Sequence, residues 1–390
     1  MNLDTIPHPA ALHICLVCNT AWAIHTYRPG LIRGLLQNGI RVTVIAPYDA
    51  TADAMTALGA DYIDLPLASK SVNPFNDLRT LYALWRIYRK LQPDLIFHYT
   101  IKPNIYGSLA AMLARVKSIA VTTGLGYVFI RSSRSAKVAK LLYRLAFRFP
   151  REVWFLNPDD RETFLKQNLL AHPERAVLLP GEGIDLNQFQ LSPLPTARQH
   201  FNFILIGRLL WDKGVGEYVA AARQLKRIYP HARFLLLGPA GIANPSAITR
   251  DELNLWIEEG CIEWLGETDD VRTYIADADC VVLPSYREGM PRTLLEASAM
   301  GRPIVASRVP GCQDVVVDGV TGLLCAARSA DQLAAAMAQM LDMTLEQRTR
   351  MGLAGRDRML AEFDERTVVA RYFSTVKAQT GVVLSVRDRP

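Results

Sequence analysis

The sequence predicts an α/β protein built as two parallel-sheet domains, and three observations predict it. Short apolar runs such as Cys280-Val-Val-Leu283 and Pro303-Ile-Val-Ala306 have the composition of strands buried on both faces. Between these two lies one helix, with Pro291 suited to a first helical position and Gly301 to a left-handed cap. Strand, turn, helix and strand then form a parallel crossover unit. Finally, 390 residues, half of them apolar, are enough for two cores of about 150–200 residues each.

Taken in order, residues 12–17 and 42–46 read as buried strands separated by a helix over 28–37 that ends at Asn38-Gly39. Residues 18–25 are expected to form a loop at the carboxyl end of the first strand. A helix over 75–91 leads into a strand at 94–97, and further strands are predicted at 118–121, 153–156 and 177–179. A helix over 159–167 separates the last two. Residues 191–196, Leu-Ser-Pro-Leu-Pro-Thr, are the best linker in the chain. Beyond it, strands are predicted at 203–206, 233–237, 262–265, 280–283, 304–306 and 322–324, with a helix over 215–228. Helices at 333–341 and 345–363 follow, the second interrupted near Gly352 to Gly355. The predicted domains are therefore 1–195 and 196–366, with a terminal helix in 367–390.

Two stretches carry candidate chemistry. In Glu288-Gly-Met-Pro-Arg-Thr-Leu-Leu-Glu296 the first acid falls in the turn before the helix. The second lies about 5–8 Å further along the axis, at ~1.5 Å per residue. Such acids cannot form a close carboxylate pair. Flanking the N–H groups of Gly289, Met290 and Arg292, they suit a ligand with hydroxyls at both ends and an anion between, the layout of a sugar nucleotide. The other stretch, Gly207-Arg-Leu-Leu-Trp-Asp-Lys-Gly214, places the cations Arg208 and Lys213 at another strand-to-helix junction, a diphosphate clamp in outline.

Composition narrows the alternatives. Six cysteines show no metal-site grouping; Cys15 and Cys18 form a lone C-x-x-C at the end of a buried strand, which favours a core role. Asp269-Asp270 reads as helix-start capping. No run reaches the roughly 18–20 apolar residues that span a bilayer, and the first residues lack a basic region followed by an apolar stretch. A cytoplasmic protein is expected. The net charge of +6 lies wholly in the first half, where residues 1–190 hold 21 Lys and Arg against 14 Asp and Glu. Residues 131–151 contain seven basic residues and no acid. There Lys137, Lys140, Arg144 and Arg148 alternate with Leu141, Leu142, Leu145 and Phe149, a basic amphipathic helix of the type that rests on anionic headgroups. No nucleic-acid motif accompanies this charge.

G-R-L-L-W-D-K-G and E-G-M-P-R-T-L-L-E together resemble the donor site of the family 4 retaining glycosyltransferases. The resemblance extends through F-H-Y-T-I-K-P-N-I-Y-G (97–107) and T-G-L-G-Y-V-F (123–129) to nearly the whole chain. The bacterial members it points to add N-acetylhexosamines, such as N-acetylgalactosamine, to undecaprenyl-diphosphate-linked glycans. It implies the GT-B fold, two Rossmann-like domains facing across a cleft, the first for acceptor and the second for a UDP-sugar.

The resemblance also implies roles. Arg208, Lys213, Glu288 and His98 would be catalytic. Gly207, Gly289, Met290, Pro291, Leu295 and Glu296 would hold the donor, Glu296 at the ribose. Lys102, Asn104 and Gly124 would meet the acceptor. The family histidine's place matches Tyr99, with His98 its neighbour, so either can take it. Where the family often has Gly-Gly after the first strand, this chain has Thr20-Ala21. Transfer would need no metal or cofactor, and the enzyme would sit peripherally on the inner face of the plasma membrane through 131–151, in polysaccharide or glycoprotein glycan assembly. A UDP-sugar epimerase or a non-catalytic nucleotide-sugar-binding scaffold of the same fold is the alternative.

Overall fold

The computed structural model describes residues 12–68, 73–125, 134–196 and 199–386. Expectations for the first eleven residues, Gly126, residues 127–129 and Arg131 lie outside the described residues. The chain divides into two compact units, Met1–Pro180 with Arg366–Pro390, and Gly181–Glu365.

Unit 1 holds a seven-stranded parallel sheet in the order β3-β2-β1-β4-β5-β6-β7. Its strands are β1 (His13–Val17), β2 (Arg41–Ala46), β3 (Asp61–Asp64), β4 (Leu95–Tyr99), β5 (Ser118–Thr122), β6 (Glu152–Phe155) and β7 (Ala176–Leu178). Unit 2 holds six parallel strands in the order β10-β9-β8-β11-β12-β13. These are β8 (Phe201–Ile206), β9 (Ala232–Leu237), β10 (Glu263–Trp264), β11 (Cys280–Leu283), β12 (Ile304–Ser307) and β13 (Gly322–Cys325). Every residue of β1, β4, β5, β8, β11 and β12 is buried. Helices cover both faces of such sheets, which is why these strands are continuous apolar runs rather than alternating ones. In each unit chain order reverses once, between β1 and β4 and between β8 and β11, and ligands of open parallel sheets bind at that reversal.

Several expectations change. The loop read over 18–25 closes early into a helix, Ala21–Tyr27, because the Thr20 hydroxyl accepts from Ala23 N at 3.2 Å and caps it. Helix Leu345–Glu362 is continuous. A Cβ on Gly352 would stand 2.0 Å from the Gly301 carbonyl oxygen, so this glycine serves close packing between helices rather than a break. The proline-rich segment 191–196 is bound to unit 2. There the fully buried Arg302 donates to the Ser192 and Pro193 carbonyls at 2.5 and 2.9 Å, and the change of unit falls at Pro180.

Helix Glu365–Thr380 packs Tyr372 between the rings of Phe97 and Trp154, at 4.9 and 4.8 Å, and accepts from the Tyr99 hydroxyl at 3.1 Å. In the basic helix Arg134–Ala146 it is Ala136, Tyr143 and Ala146 that face the core, with Phe147 just beyond. Leu141 and Leu145 lie exposed beside Lys137 and Arg144. All six cysteines are buried free thiols. No described helix is long and apolar enough to cross a membrane.

The two units differ in charge. Unit 1 carries 26 Lys and Arg against 13 Asp and Glu, a net +13; unit 2 carries 18 against 25, a net −7.

Candidate active site

At the reversal in unit 2, the loops leaving β8 and β11 are locked to each other. Gly207, with φ of +153°, turns the chain out of β8, and Gly214, with φ of +74°, turns it into helix Val215–Ile228. A Cβ at Gly214 would lie 2.1 Å from the Pro284 carbonyl oxygen, so only glycine admits this approach to the chain leaving β11. Tyr286 N donates to Asp212 O at 2.9 Å across the same gap. The loop after β12 joins them, with Glu288 N donating to Pro310 O at 3.2 Å.

These contacts bring together side chains 75 residues apart: Lys213 Nζ lies 2.5 Å from Glu288 Oε1, and both are partly exposed. Glu288 lies four residues before helix Arg292–Ala299, whose N-cap is Pro291. Glu296 is one turn inside and buried, with Oε1 accepting from Arg292 Nε at 2.8 Å. Burial raises its carboxyl above the usual range, and the Arg292 guanidinium pulls it part of the way back. Arg208 stands exposed at the start of the β8 loop. Behind Glu288, burial pushes the Cys312 thiol well up and the Glu288 carboxylate adds to it, so this cysteine is inert.

The expected catalytic residues Arg208, Lys213 and Glu288 and the expected donor-holding residues Gly207, Gly289, Met290, Pro291 and Glu296 therefore lie on these two facing loops or the first turns of the adjoining helix. Leu295 is a correction: its side chain is fully buried in the unit 2 core and faces other apolar groups. Tyr286 was not legible in the sequence. Its hydroxyl donates to Glu217 Oε1 at 2.7 Å and Arg328 lies 4.4 Å over its ring, so one side chain braces the β11 loop against two other segments.

Unit 1 departs from expectation at the corresponding reversal. His98 is fully buried within β4, its Nε2 3.0 Å from the Tyr88 hydroxyl and its ring against Gly107, where a Cβ would come within 2.5 Å. Burial lowers its pKa to about 3. It is a neutral packing group, and the catalytic expectation for His98 is corrected accordingly. Tyr99 is likewise buried, against Arg28 and Tyr372. Lys102 is anchored by Asp77 at 2.7 Å and by the Ala68 carbonyl at 2.8 Å. Asn104 is buried and donates to Val121 O at 2.9 Å, holding the π-helical turn Pro103–Gly107 to β5. These contacts anchor Lys102 and Asn104 within unit 1. Gly124, with φ of +144°, follows β5 at the same sheet end.

Known proteins agree with this architecture. Residues 13–157 match the family model described as glycosyl transferase 4-like, and residues 200–343 the model described as glycosyl transferases group 1. The N,N'-diacetylbacillosaminyl-diphospho-undecaprenol α-1,3-N-acetylgalactosaminyltransferase of Campylobacter jejuni is 28% identical over 93% of this chain and 97% of its own length. An Escherichia coli UDP-Gal:α-D-GlcNAc-diphosphoundecaprenol α-1,3-galactosyltransferase is 26% identical over 72% of this chain and 77% of its own. Among solved structures, a sucrose-phosphate synthase from Thermosynechococcus elongatus superposes with a TM-score of 0.79 at 19% identity, covering 95% of this chain and 99% of that one. Anabaena HepE in complex with UDP-glucose does so with a TM-score of 0.77 at 18% identity, covering 94% and 100%.

Proposed function

Because this chain belongs to the group 1, 4-like glycosyltransferases and has their GT-B fold, we propose that it transfers an N-acetylhexosamine from a UDP-sugar to an undecaprenyl-diphosphate-linked acceptor, with retention and without a metal. The observation that carries the reading is the meeting of Lys213 and Glu288 at the β8–β11 reversal, on the loops that also carry Arg208 and lead into helix Arg292–Ala299. A cation pair and helix amides suit a diphosphate, and the two glutamates suit hydroxyls at its two ends. The acceptor class is supported by the Campylobacter and Escherichia relatives, both of which act on sugars carried by diphospho-undecaprenol.

In this mechanism Lys213 exchanges Glu288 for the diphosphate, and Glu288 is released to a sugar hydroxyl. As the glycosidic C–O bond breaks, Arg208 and Lys213 stabilise the charge growing on the leaving phosphate; one such contact is worth about 2.7–4 kcal/mol. The departing phosphate oxygen takes the acceptor proton on the same face, so no close pair of carboxylates is needed. Glu296 holds the ribose hydroxyls.

An acceptor carried on undecaprenol calls for an enzyme that works at the inner face of the plasma membrane. Helix Arg134–Ala146 supports this with exposed Val138, Leu141 and Leu145 beside Lys137 and Arg144, and Arg148 and Phe149 just beyond it. The test is to incubate each UDP-sugar with and without an undecaprenyl-diphosphate-linked N-acetylated sugar. Acceptor-dependent UDP release with an α-linked product is expected. Epimerisation of the UDP-sugar without acceptor would overturn the proposal.

A further inference from the structure

Helix Pro74–Leu91 has a second face that the transfer chemistry does not use. Thr80, Leu84 and Tyr88 are buried against unit 1. On the opposite side Phe75, Leu78 and Tyr82 are 80%, 61% and 56% exposed, Phe75 more than any other large apolar side chain among the described residues. Arg79, Arg86, Arg89 and Lys90 are exposed with them. At roughly 100° per residue all seven fall within an arc of about 120°. The helix's one acid, Asp77, is turned away, held by Lys102 Nζ and the Tyr106 hydroxyl, each at 2.7 Å. The outer face is thus apolar and cationic, with no carboxylate.

That composition fits an anionic lipid surface, where rings and leucines enter the headgroup boundary and arginines meet phosphates. The net charge of +13 on unit 1 has the same sign. Helices Pro74–Leu91 and Arg134–Ala146 both pack on the turn Pro103–Gly107, so they belong to one helical layer. We infer that helix Pro74–Leu91 is a second lipid-contacting element, so that unit 1 meets anionic headgroups through two apolar-basic stripes of that layer. This rests on the reading that the protein works at a lipid surface.

Flotation of the full chain with phosphatidylcholine vesicles, with and without phosphatidylglycerol, tests it. Wild type should float only with the anionic vesicles. Arg79→Glu/Arg86→Glu should weaken that partition more than tenfold, at roughly fivefold for each cation near the surface, with an unchanged Tm. Phe75→Ser/Leu78→Ser should weaken it comparably; should that variant prove unfolded, the charge reversal decides alone. If both folded variants float like wild type while Leu141→Ser/Leu145→Ser does not, the second element is overturned and the membrane reading stands. Wild type that floats with neither vesicle overturns both. Unchanged flotation with lost self-association in sedimentation would overturn the lipid in favour of a second copy of the chain.

Discussion

Both units end their central parallel strands at a reversal of chain order, yet they furnish it differently. In unit 1 the polar residues at the end of β4 and just beyond it are turned into the fold: His98 to Tyr88, Lys102 to Asp77, Asn104 to Val121. In unit 2 the loops after β8 and β11 keep Lys213 and Glu288 partly exposed and paired with each other, with Arg208 exposed on the β8 loop. The topology supplies the place in both cases, while the loop residues decide whether chemistry is on offer. Unit 1 instead spends its charge on the outer faces of its helices.

The largest expected break in this contrast is Lys213→Ala. Turnover should fall about 100-fold or more, the loss of one leaving-group contact, while Tm changes little because the pair is partly solvated. Matching losses in kcat and Tm would make Lys213 a structural group. His98→Gln probes the other side. Its ordinary pKa of 6.5 drops to about 3 in the fold, so the unfolded chain binds a proton that the native chain refuses. This contribution to stability is full above pH 6.5 and falls by about 1.4 kcal/mol for each unit from there down to about pH 3. In urea titrations from pH 6.5 to 4.5 His98→Gln should lose about one proton of that slope and keep wild-type kcat; loss of turnover would return His98 to the reaction.

Smaller effects sharpen unit 2. Glu296→Gln should raise the donor KM about tenfold with kcat nearly constant, as expected where ground and transition states are held alike. Tyr286→Phe removes one hydrogen bond to Glu217, of about 1 kcal/mol, and keeps the ring under Arg328. A fall of about fivefold in kcat/KM is expected, and a wild-type value would remove Tyr286 from the positioning of Glu288.

The sheets were legible because strands buried on both faces announce themselves as apolar runs, and the two strand-end stretches because Gly207, Gly214 and Pro291 punctuate them. The Lys213–Glu288 contact was only half legible: each residue stood out, but 75 positions of chain conceal that they touch. His98 misled because a strand residue's direction depends on which helix covers that face, and here Tyr88 on helix Pro74–Leu91 claims it. The short helix Ala21–Tyr27 was lost because Thr20 caps it immediately after the strand, leaving little room for a loop. The exposed face of helix Pro74–Leu91 follows from periodicity alone, but nothing in the sequence says which side stays uncovered.

Gly352 has a reach beyond its own helix. Helix Leu345–Glu362 lies against the end of helix Arg292–Ala299, with Gly352 on the Gly301 carbonyl and Arg356 donating to Ala299 O at 2.6 Å. One hydrogen atom's width at position 352 sets the separation of two stiff rods, and the Glu296 carboxylate rides on the second of them, little more than a turn away. A methyl group there would act as a wedge, shifting the Glu296 carboxylate from a site it never touches.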